Sequence, residues 1–156
     1  MIKSEYLKNK FALIKENIKI AENMKDPKLA SMLSGYLVVS ISGIYEDCIE
    51  HLFIQRAGKN NDKGIQNLIR TLIDQHFRNP NYENIKKLVG ALGYKQKKLI
   101  QNMAKTNKKS IDGLNSIVTN KNNIAHGEAS NATLKDIKGY HQDTLKIFEV
   151  LESILL

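Results

Sequence analysis

The sequence lacks several residue types whose absence excludes whole classes of protein. Its 156 residues include no tryptophan, two prolines and a single cysteine, Cys48. One cysteine cannot close an internal disulfide or anchor a thiolate metal site, and Cys48 lies inside an apolar run, as buried thiols do. Disulfide-stapled secreted proteins are therefore excluded, and the lone thiol favours the reducing cytoplasm.

Long apolar runs are also missing. The N-terminus is charged from its first residues and leads into no signal-type stretch. The most apolar run, residues 36–45, is interrupted by serine and glycine and is too short to cross a bilayer. We therefore expect a cytoplasmic protein with no membrane segment. A length of 156 residues with 42% hydrophobic residues fits one domain, residues 1–156, with a real core.

The alternating pattern of β-strands is almost absent, and apolar residues recur at three- and four-residue steps along nearly the whole chain. This spacing predicts helices with apolar stripes at residues 7–21, 27–52, 65–73, 85–92, 99–103, 111–118 and 134–155. Residues 58–64 are predicted as a loop, Ser110 and Thr133 as helix N-caps, and Gly127 as the residue after a helix end. The expected fold class is all-α, a bundle of long helices with short helices inserted.

The positive charge is concentrated in one segment. The chain has 24 Lys and Arg against 16 Asp and Glu, a formal net charge of +8. Residues 84–111 hold eight lysines and no acidic residue, so the rest of the chain is neutral overall. A solvated helical surface would have the same composition, and an anionic membrane or an acidic protein would also bind it. A polyanion-binding surface is the functional interpretation, and charge alone does not identify the polyanion. If it is RNA, contacts are expected from Lys95, Lys97, Lys98, Lys105, Lys108 and Lys109.

One lysine interrupts the apolar stripe of the helix that precedes Gly127. At about 100° per residue, Leu114, Val118, Lys121 and Ala125 fall on one line along that helix. A charge in the middle of an apolar face is costly unless it reaches a cleft, an anion or a partner chain. Lys121 is therefore a candidate functional residue.

Two further polar residues lie at the edge of that stripe. Asn122 and His126 are four residues apart, so an amide and an imidazole converge with Lys121 on one patch. An imidazole can act as general base or acid near neutral pH, an amine can neutralise developing phosphate charge, and an amide can hold a phosphate oxygen. A structural interpretation also exists, with the Lys121 stem on the core, Asn122 as a cap and His126 as a helix-end cation.

The stretch Asn120–Gly127, NKNNIAHG, resembles the signature of the HEPN superfamily (higher eukaryotes and prokaryotes nucleotide-binding domains). That signature is an arginine, a polar residue that is often asparagine, three variable residues and then a histidine, commonly within Ala-His-Gly. Asn122, Ala125, His126 and Gly127 match it in place.

The resemblance extends loosely over most of the chain. The apolar helix ending at residues 43–50 and the opening at residues 133–137 are similar to those of small prokaryotic HEPN proteins of the RiboL-PSP-HEPN or MAE_28990 type. It implies a helical bundle that forms a homodimer with two copies of the motif facing each other. It also implies metal-independent RNA cleavage without a cofactor. Members commonly act as toxins or antiviral-defence effectors, so an antitoxin or another defence-system protein is a further expected partner.

Carried over to this chain, the resemblance makes His126 catalytic, activating the ribose 2′-hydroxyl, with Asn122 assisting. Lys121 stands where the family has arginine, and lysine keeps the charge but loses the planar fork that suits phosphate. Three interpretations therefore stay open. The chain is an active HEPN endoribonuclease, a non-catalytic HEPN module that binds RNA or a partner protein, or a basic helical adaptor for an acidic partner.

Two neighbouring carboxylates are candidates for a supporting role. Glu46 and Asp47 lie on the predicted central helix, from which they could orient His126 or pair with Lys121. Ion pairing without any part in chemistry is the structural alternative for both.

No other motif for chemistry is present. The sequence contains no Gly-rich phosphate loop and no nucleophile elbow. His51, His76 and His141 lack the spacing of a metal site and are each predicted at the surface or at its boundary. Neither a metal nor a cofactor is expected.

Overall fold

The structure is a computed structural model that describes residues 1–59 and 61–156. Within these residues the chain forms helices and no strand, which confirms the predicted all-α fold class. The helices are α1 (Glu5–Glu22), α2 (Pro27–Gly58), α3 (Lys63–His76), α4 (Tyr82–Gly90), α5 (Tyr94–Thr106), α6 (Lys108–Ala125) and α7 (Leu134–Leu155).

The four long helices enclose the core. α7 packs along α6, and α2 packs on α1, α6 and α7. The α1 stripe predicted from the sequence faces this core, where its five members are all buried: Leu7, Phe11, Ile14, Ile18 and Ala21. Burial of the apolar sides of these helices against one another is the main favourable contribution to the fold.

Among the described residues, α2 is the helix whose length and composition would allow it to cross a membrane. The central helix of a soluble bundle has the same composition, so this property is weak as a membrane signal. Between residues 37 and 53 the helix places Leu37, Ile41, Tyr45, Ile49 and Leu52 in the bundle core. The apolar residues of α2 between positions 37 and 53 therefore pack in the core of the bundle.

The shorter helices connect α2 to α6. α3 rests on α2, α4 packs against α5, and α5 reaches α7. Asp62 and Asn81 begin α3 and α4, because each side chain accepts hydrogen bonds from first-turn amides. Residues 63 and 64 of the predicted loop are consequently helical, whereas Asn60 of that loop lies outside the described residues.

The predicted N-cap at Ser110 is wrong, and the one at Thr133 is confirmed. Asn107 ends α5, since its main-chain amide and its side-chain amide each donate to the Met103 carbonyl at 3.0 Å. It also begins α6, since its carbonyl accepts from the Ser110 and Ile111 amides. Ser110 is consequently buried inside α6. Thr133 forms a capping box with Asp136: the Thr133 hydroxyl accepts from the Asp136 amide, and the Asp136 carboxylate accepts from the Thr133 amide.

The prediction that His141 lies at the surface or its boundary is wrong. The side chain is 1% exposed because it occupies the inward stripe of α7 between Ile137 and Phe148. Its Nδ1 shares a 2.9 Å hydrogen bond with the Tyr45 hydroxyl. Burial, with a smaller effect from the Lys15 charge, lowers the pKa of His141 to about 4. The imidazole is therefore neutral in the core at pH 7.

Because of this buried imidazole, the free energy of unfolding should fall as the solution is acidified. The unfolded chain binds a proton at His141 below about pH 6.5, whereas the folded chain does so only near pH 4. The loss from this group between pH 7 and pH 5 should be about 2 kcal/mol. Urea unfolding of the protein and of a His141→Gln variant at both pH values measures it. An equal fall in the variant would assign the pH dependence to other groups.

Candidate functional site

α6 carries the motif at its exposed C-terminal end. Its inward residues Leu114, Ile117 and Val118 are buried against the bundle, so the core holds the helix in place. The helix ends at Ala125, and His126 occupies the C-cap. Both of these residues are exposed, which leaves the imidazole open to solvent on a rigid support.

Gly127 ends the helix as the sequence predicts. Its φ is +82°, in the left-handed region that favours glycine. The Gly127 amide donates to the Ile124 carbonyl at 3.0 Å, and the Glu128 amide donates to the Asn123 carbonyl at 2.8 Å. These two bonds form a Schellman motif, which fixes the main chain from which the His126 side chain projects.

Asn120 holds the segment that follows the motif. Its side-chain oxygen accepts from the Ser130 hydroxyl at 3.1 Å and from the Asn131 amide at 3.2 Å. Its side-chain nitrogen donates to the Ser116 carbonyl at 2.9 Å. The segment leading to α7 is therefore tied to α6 just before the motif, a role that helical periodicity does not indicate.

Lys121 is half-buried, and its amine reaches the loop between α3 and α4. The ammonium group donates to Asn79 Oδ1 at 2.9 Å and to the Arg78 carbonyl at 3.5 Å. The stem thus follows the stripe that holds Leu114 and Val118, while the charged end leaves the core and finds two neutral oxygen acceptors. This contact is how the fold accommodates a charge on an apolar face.

The two candidate carboxylates lie in different surroundings. Glu46 is half-buried, and within the described residues its Oε1 has no hydrogen-bond partner. Burial raises the pKa of Glu46, and the nearby Lys121 charge offsets part of that rise. Asp47 instead pairs with Lys10 of α1 at 2.8 Å. The Lys121 charge thus acts on Glu46, whereas Asp47 is engaged by α1, because adjacent helical residues point about 100° apart.

Asn122 is half-buried next to Lys121 and follows it on the last turns of α6. Its main-chain carbonyl accepts from the His126 amide at 3.0 Å. In the part of the chain that the structure describes, no hydrogen bond joins the side chains of Lys121, Asn122 and His126. The Asn122 amide and the His126 imidazole are therefore free to contact a substrate from one end of one helix.

The six lysines expected to contact RNA form a separate surface. They lie on α5 and the start of α6, and all are exposed: Lys95, Lys97, Lys98, Lys105, Lys108 and Lys109. Lys109 also pairs with Asp143 at 3.4 Å. At 1.5 Å per residue, Lys108 and His126 stand roughly 27 Å apart along α6. Any polyanion that touches both the lysines and the motif must therefore run along the molecule.

Residues 1–59 and 61–156 contain no group of three or more His, Cys, Asp or Glu able to hold a metal ion. Cys48 is buried, and burial raises the pKa of its thiol to about 12, so it is not a nucleophile at neutral pH. His51 stacks on Tyr6 with ring centroids 3.9 Å apart, and His76 is exposed. Both histidines lie at the surface or its boundary, as predicted.

Arg78 and Asn79 are the neighbours of the motif that sequence reasoning misses. Residues 79–81, Asn-Pro-Asn, predict only a helix end, and they do lie between α3 and α4. Their contacts with Lys121 join positions 42 and 43 residues apart, and periodicity carries no information on such pairs. One indirect signal exists, because a lysine on an apolar stripe requires a polar partner somewhere in the fold.

Comparison with protein families bears out the resemblance drawn from the motif. The family model described as RiboL-PSP-HEPN matches residues 5–156, nearly the whole chain. The chain belongs to the RiboL-PSP-HEPN family. No curated protein and no solved structure matches it. Membership points to RNA cleavage or RNA binding in general, and to a domain that often works as a dimer.

Proposed function

We propose that the chain, as one domain over residues 1–156, is a metal-independent HEPN endoribonuclease acting as a homodimer. Lys121, Asn122 and His126 of both copies form the site. The observation that carries this proposal is the exposed imidazole of His126 on a fixed main chain at the end of α6, about one and a half turns beyond the half-buried Lys121. Glu46 supports the site, since the Lys121 charge acts on its carboxylate.

The chemistry is transfer of the phosphodiester to the neighbouring ribose oxygen. His126 accepts the 2′-hydroxyl proton, and the 2′-oxygen attacks phosphorus as the bond to the 5′-oxygen breaks. The leaving oxygen takes up a proton, which gives a 2′,3′-cyclic phosphate and a 5′-hydroxyl end. Lys121 stabilises the charge on the phosphate oxygens, and Asn122 holds one of them.

An exposed apolar stripe on α2 supports the homodimer. Leu29, Met32, Tyr36 and Val39 are 43%, 66%, 64% and 42% exposed. Their spacing of three, four and three residues places them on one side of the helix. We call these four residues the α2 stripe. A contiguous apolar surface of this kind is typical of a protein interface.

The α2 stripe lies beside the motif. Gly35 flanks the stripe, and a Cβ at that position would stand 3.7 Å from Ile124 Cδ1 of α6. Glu46 follows Val39 by seven residues, or about two turns, on the same side of α2. A second copy docked on the α2 stripe would therefore bring its own motif toward the first, which is what a composite site requires.

RNA is the proposed substrate, and the lysine surface on α5 and α6 supports that choice. Exposed lysines bind phosphates by releasing counterions, with little regard to sequence. From the family resemblance we further propose a cytoplasmic toxin or antiviral-defence effector, with an antitoxin or another defence-system protein as its partner.

A second candidate function is a non-catalytic HEPN module that binds RNA or a partner protein. The hydrogen bonds of Lys121 favour it, because the amine is already engaged by Asn79 and by the Arg78 carbonyl. A lysine held in this way has a structural role even if no phosphate ever reaches it. Lysine also lacks the bidentate geometry of the usual arginine.

Incubating the purified full chain with total RNA in EDTA separates the two candidates. The proposed enzyme should yield fragments that end in 2′,3′-cyclic phosphate, because a 2′-hydroxyl attack needs no metal. Binding without cleavage would select the second candidate, with an affinity that falls steeply as salt increases. Failure both to bind and to cleave RNA would overturn the enzyme and the RNA-binding module alike, and would leave only the module that binds a partner protein.

A further inference from the structure

The Lys121 amine has only part of its hydrogen-bonding capacity left for a phosphate. An ammonium group has three donors, and Asn79 Oδ1 and the Arg78 carbonyl lie within 3.5 Å of this one. The end of α6 adds a second difficulty, because the last carbonyls of a helix carry partial negative charge that disfavours an anion. A phosphate at the motif therefore needs a cation besides Lys121.

The guanidinium of Arg78 is available for this purpose. Arg78 is exposed, and across residues 1–59 and 61–156 its side chain forms neither a hydrogen bond nor an ion pair. Its main-chain carbonyl is itself one of the two acceptors of the Lys121 amine. The arginine is thus anchored by its main chain next to the motif, and its charge is free.

The loop that carries Arg78 is held firmly on both sides. Phe77 and Pro80 are buried on either side of the exposed arginine. The Asn84 side chain donates to the Asn79 carbonyl at 2.9 Å. The backbone at Arg78 is therefore fixed before any ligand arrives, which lowers the entropic cost of binding.

A second contact ties the same loop to α6. The Tyr82 amide donates to Asn115 Oδ1 at 3.0 Å. Together with the Lys121–Asn79 bond, this fixes the position of the loop relative to the helix that ends in the motif. The main chain at Arg78 and the amine of Lys121 are therefore held at a fixed separation.

We propose that Arg78 binds the substrate phosphate beside Lys121 and supplies the bidentate guanidinium that the motif lacks. Arginine matches two phosphate oxygens at once, whereas lysine acts as a point charge. The guanidinium that the family has at position 121 is thus supplied here by Arg78 of the α3–α4 loop. This assignment rests on the proposed RNA substrate, and it makes Arg78 a substrate-binding residue.

The test measures RNA binding and cleavage by Arg78→Gln and Arg78→Lys variants. Arg78→Gln should weaken binding roughly 10- to 100-fold, the effect of losing a charged hydrogen-bonded contact. It should also reduce the slope of log affinity against log salt by about the amount that one phosphate contact contributes. Arg78→Lys should retain the salt slope and recover only part of the affinity. Arg70→Gln is the matched control, since Arg70 is an exposed α3 arginine engaged with Glu50 at 3.5 Å.

A double variant tests whether Arg78 replaces the missing motif arginine. In the Arg78→Gln background, Lys121→Arg should restore most of the lost binding, because it returns a guanidinium to the motif. Full binding and cleavage by Arg78→Gln would overturn this assignment and leave the proposed function intact. If the natural protein binds RNA without cleaving it, the RNA affinities of the natural protein and Arg78→Gln alone test the assignment of Arg78. If the natural protein does neither, the assignment and the proposed function both fall.

Discussion

Replacing His126 with alanine is expected to lower the rate of RNA cleavage roughly 10²- to 10⁴-fold, the usual contribution of a general acid–base group. The fold should be unaffected, because the imidazole is exposed and makes no hydrogen bond within the described residues. The bonds that end α6 use the main chain of residues 122–128, which alanine leaves in place. RNA binding should also persist, since Lys121 and the lysine surface are unchanged.

His76→Ala is the matched control for this loss. His76 is also exposed and also lies at the end of a helix, α3, but it has no place in the proposed site. The two variants should differ in the rate of single-turnover cleavage. Their RNA affinities and their thermal unfolding temperatures should be the same. Cleavage that survives in His126→Ala at the rate of the natural protein would reject the imidazole as the catalytic base or reveal a contaminating nuclease.

The local features of this site could be predicted from the sequence. The stripe of α6, the left-handed glycine after its end and the capping box of α7 are each set by residues a few positions apart. Such short-range rules place Lys121, Asn122 and His126 together at one helix end. The family motif adds their proposed chemistry.

The contacts that complete the site could not be predicted in the same way. Periodicity gives the side of its own helix on which Lys121 lies, but not the loop that receives its amine from 42 residues earlier. For the same reason Glu46 and Asp47 are equivalent in the sequence, although the Lys121 charge acts on Glu46 and Asp47 pairs with Lys10. His141 lacks the spacing of a metal site and is predicted at the surface or its boundary, yet its Nδ1 shares a 2.9 Å hydrogen bond with the Tyr45 hydroxyl in the core, and periodicity does not indicate a partner 96 residues away.

A charged substitution in the α2 stripe should dissociate the proposed homodimer and abolish the proposed RNA cleavage. Tyr36 is 64% exposed in the single chain, so Tyr36→Glu should not disturb folding. In a symmetric dimer the same change occurs twice, and each buried aromatic side chain contributes about 1.5–3 kcal/mol. Dimer dissociation should therefore become at least roughly 10²-fold easier. Sedimentation and cleavage assays over a range of protein concentrations would measure both effects.

Leu13→Glu provides the control for the charge itself. Leu13 is an exposed apolar residue of α1, 45% accessible, and lies outside the α2 stripe. The Leu13→Glu substitution should leave both dimerisation and RNA cleavage unchanged. The loss in Tyr36→Glu should shrink at high protein concentration, because mass action restores the dimer and with it the composite site. A monomeric Tyr36→Glu protein that cleaves RNA at full rate would show that one copy of the motif suffices, and the two-copy site would have to be abandoned.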